Sequence, residues 1–299
     1  MTPFRLLPSY RDKIWGATAL EPWFRNSAKP IGEVWFTFED NATDLGPTLG
    51  ELVRRHGPAL MGAAWVPPGF PILTKFIFTT QRLSIQVHPP DDYARRHEAS
   101  AGKTEMWYVL RAEPGAAIGI GLKRAITRQR MREAVLSGEI EELVDWRRTC
   151  AGDVIVVPAG SVHAIGAGLA VFEIQQQSDV TYRLYDYGRP RELHIEKAID
   201  VAELGPHRHA AAPAPLGPGH SLLAKTPYFA TELRDATAAF EYTPDHRGAH
   251  ILAMIEGGGT LGGRPVNAGE VWIVPANAGP FAIAPSGRLR LLDTYVPAG

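Results

Sequence analysis

The sequence predicts a mainly β protein: two small jelly-roll barrels in tandem, with a modest helical insert in the first. Three observations predict it. Short apolar runs of strand length recur between turns along a 299-residue chain that carries 30 Gly and 25 Pro. One run repeats: Gly152-Asp-Val-Ile-Val-Val-Pro-Ala159 matches Gly269-Glu-Val-Trp-Ile-Val-Pro-Ala276, and upstream Trp107-Tyr-Val-Leu110 matches Leu252-Ala-Met-Ile255. Between the copies, Pro206 to Gly219 is rich in Ala, Pro and Gly and has no periodicity, as a linker does. The expected division is 1–205, linker 206–220, and 221–299, with the helical insert at about 124–148. Strands and turns repeated in this way favour barrels over βαβ units.

Taken in order, Lys13-Ile-Trp-Gly16 reads as a loop and Gly32 to Thr37 as a strand. Thr48 to His56 reads as a short helix, capped by Thr48 and ended by Gly57. Pro71 to Phe78 is a strand, and Arg82 to Pro90 another. A polar connection then leads to the strand Lys103 to Leu110, on which Lys103, Glu105 and Trp107 share a face. Thr127 to Ser137, closed by Gly138, has a helical pattern, as does Glu139 to Trp146. Strands return at Gly152 to Pro158, Ala170 to Gln175 and Val180 to Asp186, with a short helix over 192–204.

Bulk properties exclude several classes. With 45% hydrophobic residues the chain can bury a large core, and 31 basic against 32 acidic residues suggest neither nucleic acid nor an anionic membrane as partner. One cysteine, Cys150, permits no intrachain disulfide and fits a reducing compartment. Met1 to Gly16 has no apolar signal core. Val154 to Phe172 carries no charge, but Pro158, Gly160, Gly166 and Gly168 break it up and His163 interrupts it, so a soluble, cytoplasmic protein is expected.

The chemistry centres on Arg82-Leu-Ser-Ile-Gln-Val-His-Pro-Pro90. Leu83, Ile85 and Val87 alternate with Ser84, Gln86 and His88, which places an amide and an imidazole on one strand face. Glu105 on a neighbouring strand and His163 after the Gly152–Pro158 strand complete a proposed set of two nitrogen and two oxygen donors, suited to zinc, iron(II) or a related ion. A lone strand His or Glu is usually structural or solvated; the joint pattern carries more weight. The second copy is an internal control. Pro280 stands in the place of His163, and His250, aligned with Glu105, has no evident companions and reads as structural. Lys103, Lys75 and Arg183 are ordinary surface charges taken singly. Pointing together into a barrel mouth, they would suit an anionic substrate such as a sugar phosphate.

Four segments carry a family resemblance. Ser84-Ile-Gln-Val-His-Pro89, Gly102-Lys-Thr-Glu-Met-Trp-Tyr108, Val157-Pro-Ala-Gly-Ser-Val-His-Ala-Ile-Gly166 and Gln177-Ser-Asp-Val-Thr-Tyr-Arg-Leu-Tyr-Asp186 resemble, in order, the signature segments of the type I mannose-6-phosphate isomerases, which are zinc cupins. The match runs from about Trp15 to Arg189, with a degenerate cupin beyond, and is similar to the shorter bacterial forms that lack a large helical domain. The resemblance implies one zinc held by Gln86, His88, Glu105 and His163, and action of Arg183 at the reacting carbons. It also implies a sugar-phosphate site lined by Ser84, Lys75 and Lys103, with Trp15 nearby, and a monomer or homodimer. The expected reaction interconverts mannose 6-phosphate and fructose 6-phosphate through a cis-enediol. Electrostatic roles fall to Arg183 and Lys103, and the base stays open among Lys103, Glu105 and a metal-bound hydroxide. The competing readings are an isomerase of another, possibly unphosphorylated sugar, a non-catalytic sugar-binding or regulatory cupin, and a metal oxidoreductase. Gln86 among the donors disfavours the last.

Overall fold

A computed structural model describes residues 1–62, 65, 69–208 and 212–297. Its strands form three sheets. The first runs Ser9–Ala17, Ile31–Phe36, Ile72–Thr79, Leu169–Gln176, Glu105–Ala112, Val154–Val157, in that spatial order. The second, five-stranded, runs Tyr182–Tyr185, Ile85–Val87, His163–Ile165, Ala117–Leu122, Val144–Arg148. These two face each other and make the first barrel. The third, nine-stranded sheet contains the strands from Ala214 onward and curls on itself around Leu252, Met254, Trp272 and Leu291.

Alternation along the central strands decides what each layer touches. In Ile72–Thr79, Phe76 and Phe78 point to one side, and Lys75 and Ile77 to the other. In Glu105–Ala112, Met106 and Tyr108 oppose Glu105 and Trp107, and in Leu169–Gln176, Phe172 and Ile174 oppose Glu173. The first set joins Phe24 and Phe36 in an aromatic core shared with Phe4, Ala253 and Leu292, so the six-stranded sheet is glued to the third sheet. The second set lines the barrel interior. The outer face of the five-stranded sheet is covered by helices Arg128–Ser137, Ile140–Leu143 and Ile195–Val201, through Met131, Ala134 and Ile199.

The expected strands form within a few residues, and the helices show where local signals fall short. Thr48 caps as expected: its Oγ1 accepts from the Glu51 N–H at 3.3 Å and the Glu51 carboxylate accepts from the Thr48 N–H at 2.8 Å. Gly57 breaks the helix at φ 31°, yet a further turn over Pro58 carries it to Met61. After Gly138 only Ile140–Leu143 is helical. Val144 to Trp146, expected to continue that helix, belongs instead to the edge strand Val144–Arg148, which pairs with Ala117–Leu122. Asp91–His97, read as a polar connection, is a short helix. Within 206–220, Ala214–Gly217 is an edge strand; residues 209–211 lie outside the described residues. Phe4–Leu6 crosses from the chain start to pair with Val271–Val274 in the third sheet. No helix among the described residues is long and apolar enough to cross a membrane.

Candidate metal centre and active site

Two cross-strand rows build the site. In the six-stranded sheet, register aligns Trp35 with Lys75, Lys75 with Glu173, and Glu173 with Trp107. In the five-stranded sheet, it aligns Arg183 with Gln86 and Gln86 with His163. Antiparallel neighbours on one face stand about 5 Å apart, so each row is a continuous strip of side chains. Pro89 and Pro90 end the strand after His88. The Pro158-Ala159-Gly160 turn, with Gly160 at φ 90° and its N–H donating to the His88 carbonyl at 2.8 Å, brings His163 back beside it.

His88, Glu105 and His163 converge, with one donor atom of each within 4.8 Å of the others. His88 Nε2 lies 3.5 Å from Glu105 Oε2, and His163 Nε2 lies 3.4 Å from Glu105 Oε1. Both imidazoles are fixed from behind: Nδ1 of His88 faces the Val180 carbonyl at 2.9 Å and Nδ1 of His163 the Ser161 carbonyl at 2.8 Å. Nδ1 must therefore carry the hydrogen, and both Nε2 lone pairs face the common centre. Burial, with Lys103 nearby, pushes the His88 imidazole down to about 3; burial also lowers His163 against the pull of Glu105. Burial would raise the Glu105 carboxyl, but Lys103 and then the two imidazoles hold it well below the usual carboxylate range. The result is two neutral imidazoles facing one carboxylate.

This donor set fits a divalent ion. His88 Nε2 and both Glu105 oxygens are buried without a hydrogen-bond partner, a costly arrangement that a cation at their centre would relieve. Gln86 stands on the rim, its Nε2 3.2 Å from His163 Nε2 and its Oε1 accepting from Ser84 Oγ at 3.1 Å. A half-turn of that amide would aim its oxygen at the centre instead.

The centre opens onto a pocket of about 260 Å³ that gathers the other expected residues, Trp15, Lys75, Ser84, Lys103 and Arg183. Lys103 Nζ is 3.1 Å from Glu105 Oε2. Burial alone would lower Lys75; Glu173, 3.2 Å away, with Glu33 and Asp179, raises it instead, so the ammonium is kept charged. Arg183 has no ion pair among the described residues; its Nη1 donates to the Glu192 carbonyl at 2.8 Å and its Nε is buried without a partner. A larger cleft of about 400 Å³ beside Ile118 and Val156 contains no comparable donor cluster among the described residues.

Sequence reasoning missed Glu173, Asp179 and Arg191, which line the same pocket. Glu173 accepts from Trp107 Nε1 at 2.9 Å, and burial with the neighbouring Glu105 raises its carboxyl. The parity of Ala170 to Gln175 against the paired strands held the signal: Glu173 shares a face with Val171 and Gln175.

The second barrel reproduces the register without the donors. Glu105 pairs with Val157, and His250 with Val274 at the matching place in the repeat. Asp293 pairs with Leu252 as Glu173 pairs with Trp107. His250, expected to be structural, is held in a buried network: its Nδ1 is 2.8 Å from Asp293 Oδ1, while Tyr242 donates to Asp293 Oδ2 at 2.9 Å. Burial would lower His250, but Asp293 outweighs it and raises the imidazole. A proton between acid and base stands where the first barrel gathers metal donors.

No family model matches the chain. Among curated proteins it is similar to mannose-6-phosphate isomerase ManA of Bacillus subtilis, 39% identical over 225 residues, or 69% of this chain and 70% of that protein. It is also similar to the mannose-6-phosphate isomerase of Streptococcus mutans, 36% identical over 246 residues, covering 76% of this chain and 77% of the other. Among solved structures, the mannose 6-phosphate isomerase from Bacillus subtilis superposes with a TM-score of 0.89 at 30% identity, over 99% of this chain and 100% of that one. With relatives at such identity over more than two thirds of both chains, and a shared fold from end to end, the chain belongs to the mannose-6-phosphate isomerase family.

Proposed function

We propose that this chain interconverts mannose 6-phosphate and fructose 6-phosphate, moving a proton between C2 and C1 through a cis-enediol, with one zinc per chain held by Gln86, His88, Glu105 and His163. The observation that carries the reading is the convergence of His88, Glu105 and His163 beside a cation-lined pocket, with His88 Nε2 and the Glu105 oxygens buried and without a hydrogen bond. A divalent metal, when bound, supplies Lewis-acid stabilisation of the negative charge that develops on substrate oxygen.

The chain's own residues do the rest. Lys103 holds Glu105 ionised and adds positive charge beside the reacting carbons. Arg183, free of any carboxylate, offers a planar fork to an enediolate oxygen. Trp15, Ser84 and Lys75 line the sugar and its phosphate. Glu173 is the base this reading adds. A carboxyl raised by burial and by Glu105 is better matched to proton transfer near neutral pH than an ordinary one. Trp107 and Lys75 fix its two oxygens. The non-catalytic reading is not favoured, because the relatives are isomerases. A phosphorylated substrate and a lone Cys150 fit a cytoplasmic protein.

The test is metal analysis of the purified protein with a coupled assay on mannose 6-phosphate before and after chelation. Turnover lost with the metal and restored by zinc is the expected result; full turnover in metal-free protein would overturn it. In Arg183→Ala, kcat falls strongly while metal content stays intact. If kcat held and only KM rose, Arg183 would act in binding.

A further inference from the structure

We propose that Arg191, positioned by the buried carboxylate of Asp186, holds the substrate's phosphate group; this rests on the sugar-phosphate reading above. Arg191 lines the same pocket as Lys75 and Arg183 but belongs to the segment that follows the Tyr182–Tyr185 strand. That strand runs antiparallel to Ile85–Val87, with Tyr182 opposite Val87 and Tyr185 opposite Ile85. The chain therefore leaves it toward Ser84, away from His88, and Arg189 Nη2 reaches the Arg82 carbonyl at 2.9 Å. Ser84 lies four residues from His88, about 13 Å on the strand repeat. A substrate whose reacting carbons sit at the donor cluster would extend its other end toward this segment.

The segment is built to hold a guanidinium still. Asp186 is buried, and its carboxylate accepts from Arg191 Nε at 2.6 Å, Arg191 Nη2 at 2.7 Å and Arg189 Nη2 at 2.6 Å. That bidentate grip occupies one edge of Arg191 and leaves Nη1 without a hydrogen-bond partner among the described residues. Between these residues, Tyr187 at φ 55° and Gly188 at φ 77° are both left-handed, a strained turn for a tyrosine and one that sets the arginines back onto Asp186.

Charge counting points the same way. Arg189 and Arg191 share the single buried carboxylate of Asp186, Arg183 has no ion pair among the described residues, and the Glu192 side chain is 83% exposed. Two positive charges are left over, and a phosphate monoester near neutral pH carries close to two negative ones. Arg191 Nη1, on the edge turned away from Asp186, supplies an unused donor for its oxygens.

The experiment is steady-state kinetics of the full-length zinc enzyme, with inorganic phosphate as competitive inhibitor. Arg191→Gln should raise KM for mannose 6-phosphate and the inhibition constant of phosphate together, by about tenfold or more, with kcat within about twofold. Asp186→Asn should move both in the same direction, and Asp186→Glu should recover part of the loss. A residue that merely supports the fold would lower thermal stability and kcat without changing phosphate inhibition. An unchanged phosphate constant in Arg191→Gln, or a fall in kcat at constant KM, overturns the proposal. If Asp186→Asn fails to fold, Arg191→Gln decides, its side chain being 31% exposed. If the wild-type enzyme does not turn over mannose 6-phosphate, the isomerase reading fails by itself, and calorimetric binding of inorganic phosphate to wild type and Arg191→Gln still judges Arg191.

Discussion

Replacing His163 with Ala tests the metal centre with a number attached. In the wild type, a ligand that binds only the folded chain and is present at about 100 times its Kd stabilises it by about 2.7 kcal/mol. A chain of 299 residues unfolds with an entropy of roughly 0.6 kcal/mol per kelvin, at about 2.1 cal/mol/K per residue. Adding zinc to chelated protein should therefore raise Tm by about 4 °C. His163→Ala removes one of the three converging donors and exposes the others to water through the space it leaves. The shift should then collapse to near zero, together with bound zinc and turnover. The imidazole also donates to Ser161, so the metal-free variant will itself be less stable, and only the difference with and without zinc is diagnostic. Scanning calorimetry or fluorescence unfolding on both proteins, paired with metal analysis, is the assay. A full-sized zinc shift in His163→Ala would refute the assignment of the ligands.

Other outcomes follow from the same coordinates. His88 is held neutral, its folded value near 3 lying below the ordinary 6.5. Its contribution is therefore present above about 6.5 and lost as pH falls toward 3; acid titration of metal-free wild type should show a steeper loss of stability in that window than His88→Gln. His250 behaves oppositely. Its folded value is raised, so the His250–Asp293 contribution is present below the unfolded value and lost as pH rises through the folded one, and Asp293→Asn should flatten the Tm profile on the alkaline side. Gly32 backs the pocket wall, where an added Cβ would fall 2.5 Å from Lys13 Cβ and 2.7 Å from Trp15 Cζ3. Gly32→Ala should displace Trp15 and raise KM more than it lowers zinc content; an unchanged KM would show that the wall is slack.

Much of this was legible in the sequence, for reasons that can be named. Period-2 alternation placed Gln86 and His88 on one face, and the repeat announced that two similar barrels would form. Because side-chain parity is independent of partner, those statements needed no tertiary information. Glu173 required it. One carboxylate in an apolar run gains meaning only when register sets Lys75 on one side and Trp107 on the other. The partner of His250 was hidden for the same reason, since Asp293 lies 43 residues away and joins it only through strand pairing. Val144 to Trp146 was expected as helix because Glu139 to Trp146 has no breaker; the open edge of Ala117–Leu122 captured it instead. Arg191 was passed over because a Pro-flanked arginine in a loop looks like solvent-exposed charge until its buried acid is located.

The strand Phe4–Leu6 imposes an order on the birth of this molecule. Residues 42–44 give it isolated backbone contacts, but its strand ladder forms with Val271–Val274, so at ordinary ribosomal speeds roughly 13–50 s separate the emergence of the two ladder partners. Until then Phe4 and Leu6, buried in the folded molecule, lack the strand that pairs with them. The first barrel is thus synthesised with an unfinished apolar flank, closed when residues 271–274 emerge. A nascent chain arrested before residue 271 should therefore be a better client for chaperones than its ready-made active-site barrel alone would suggest.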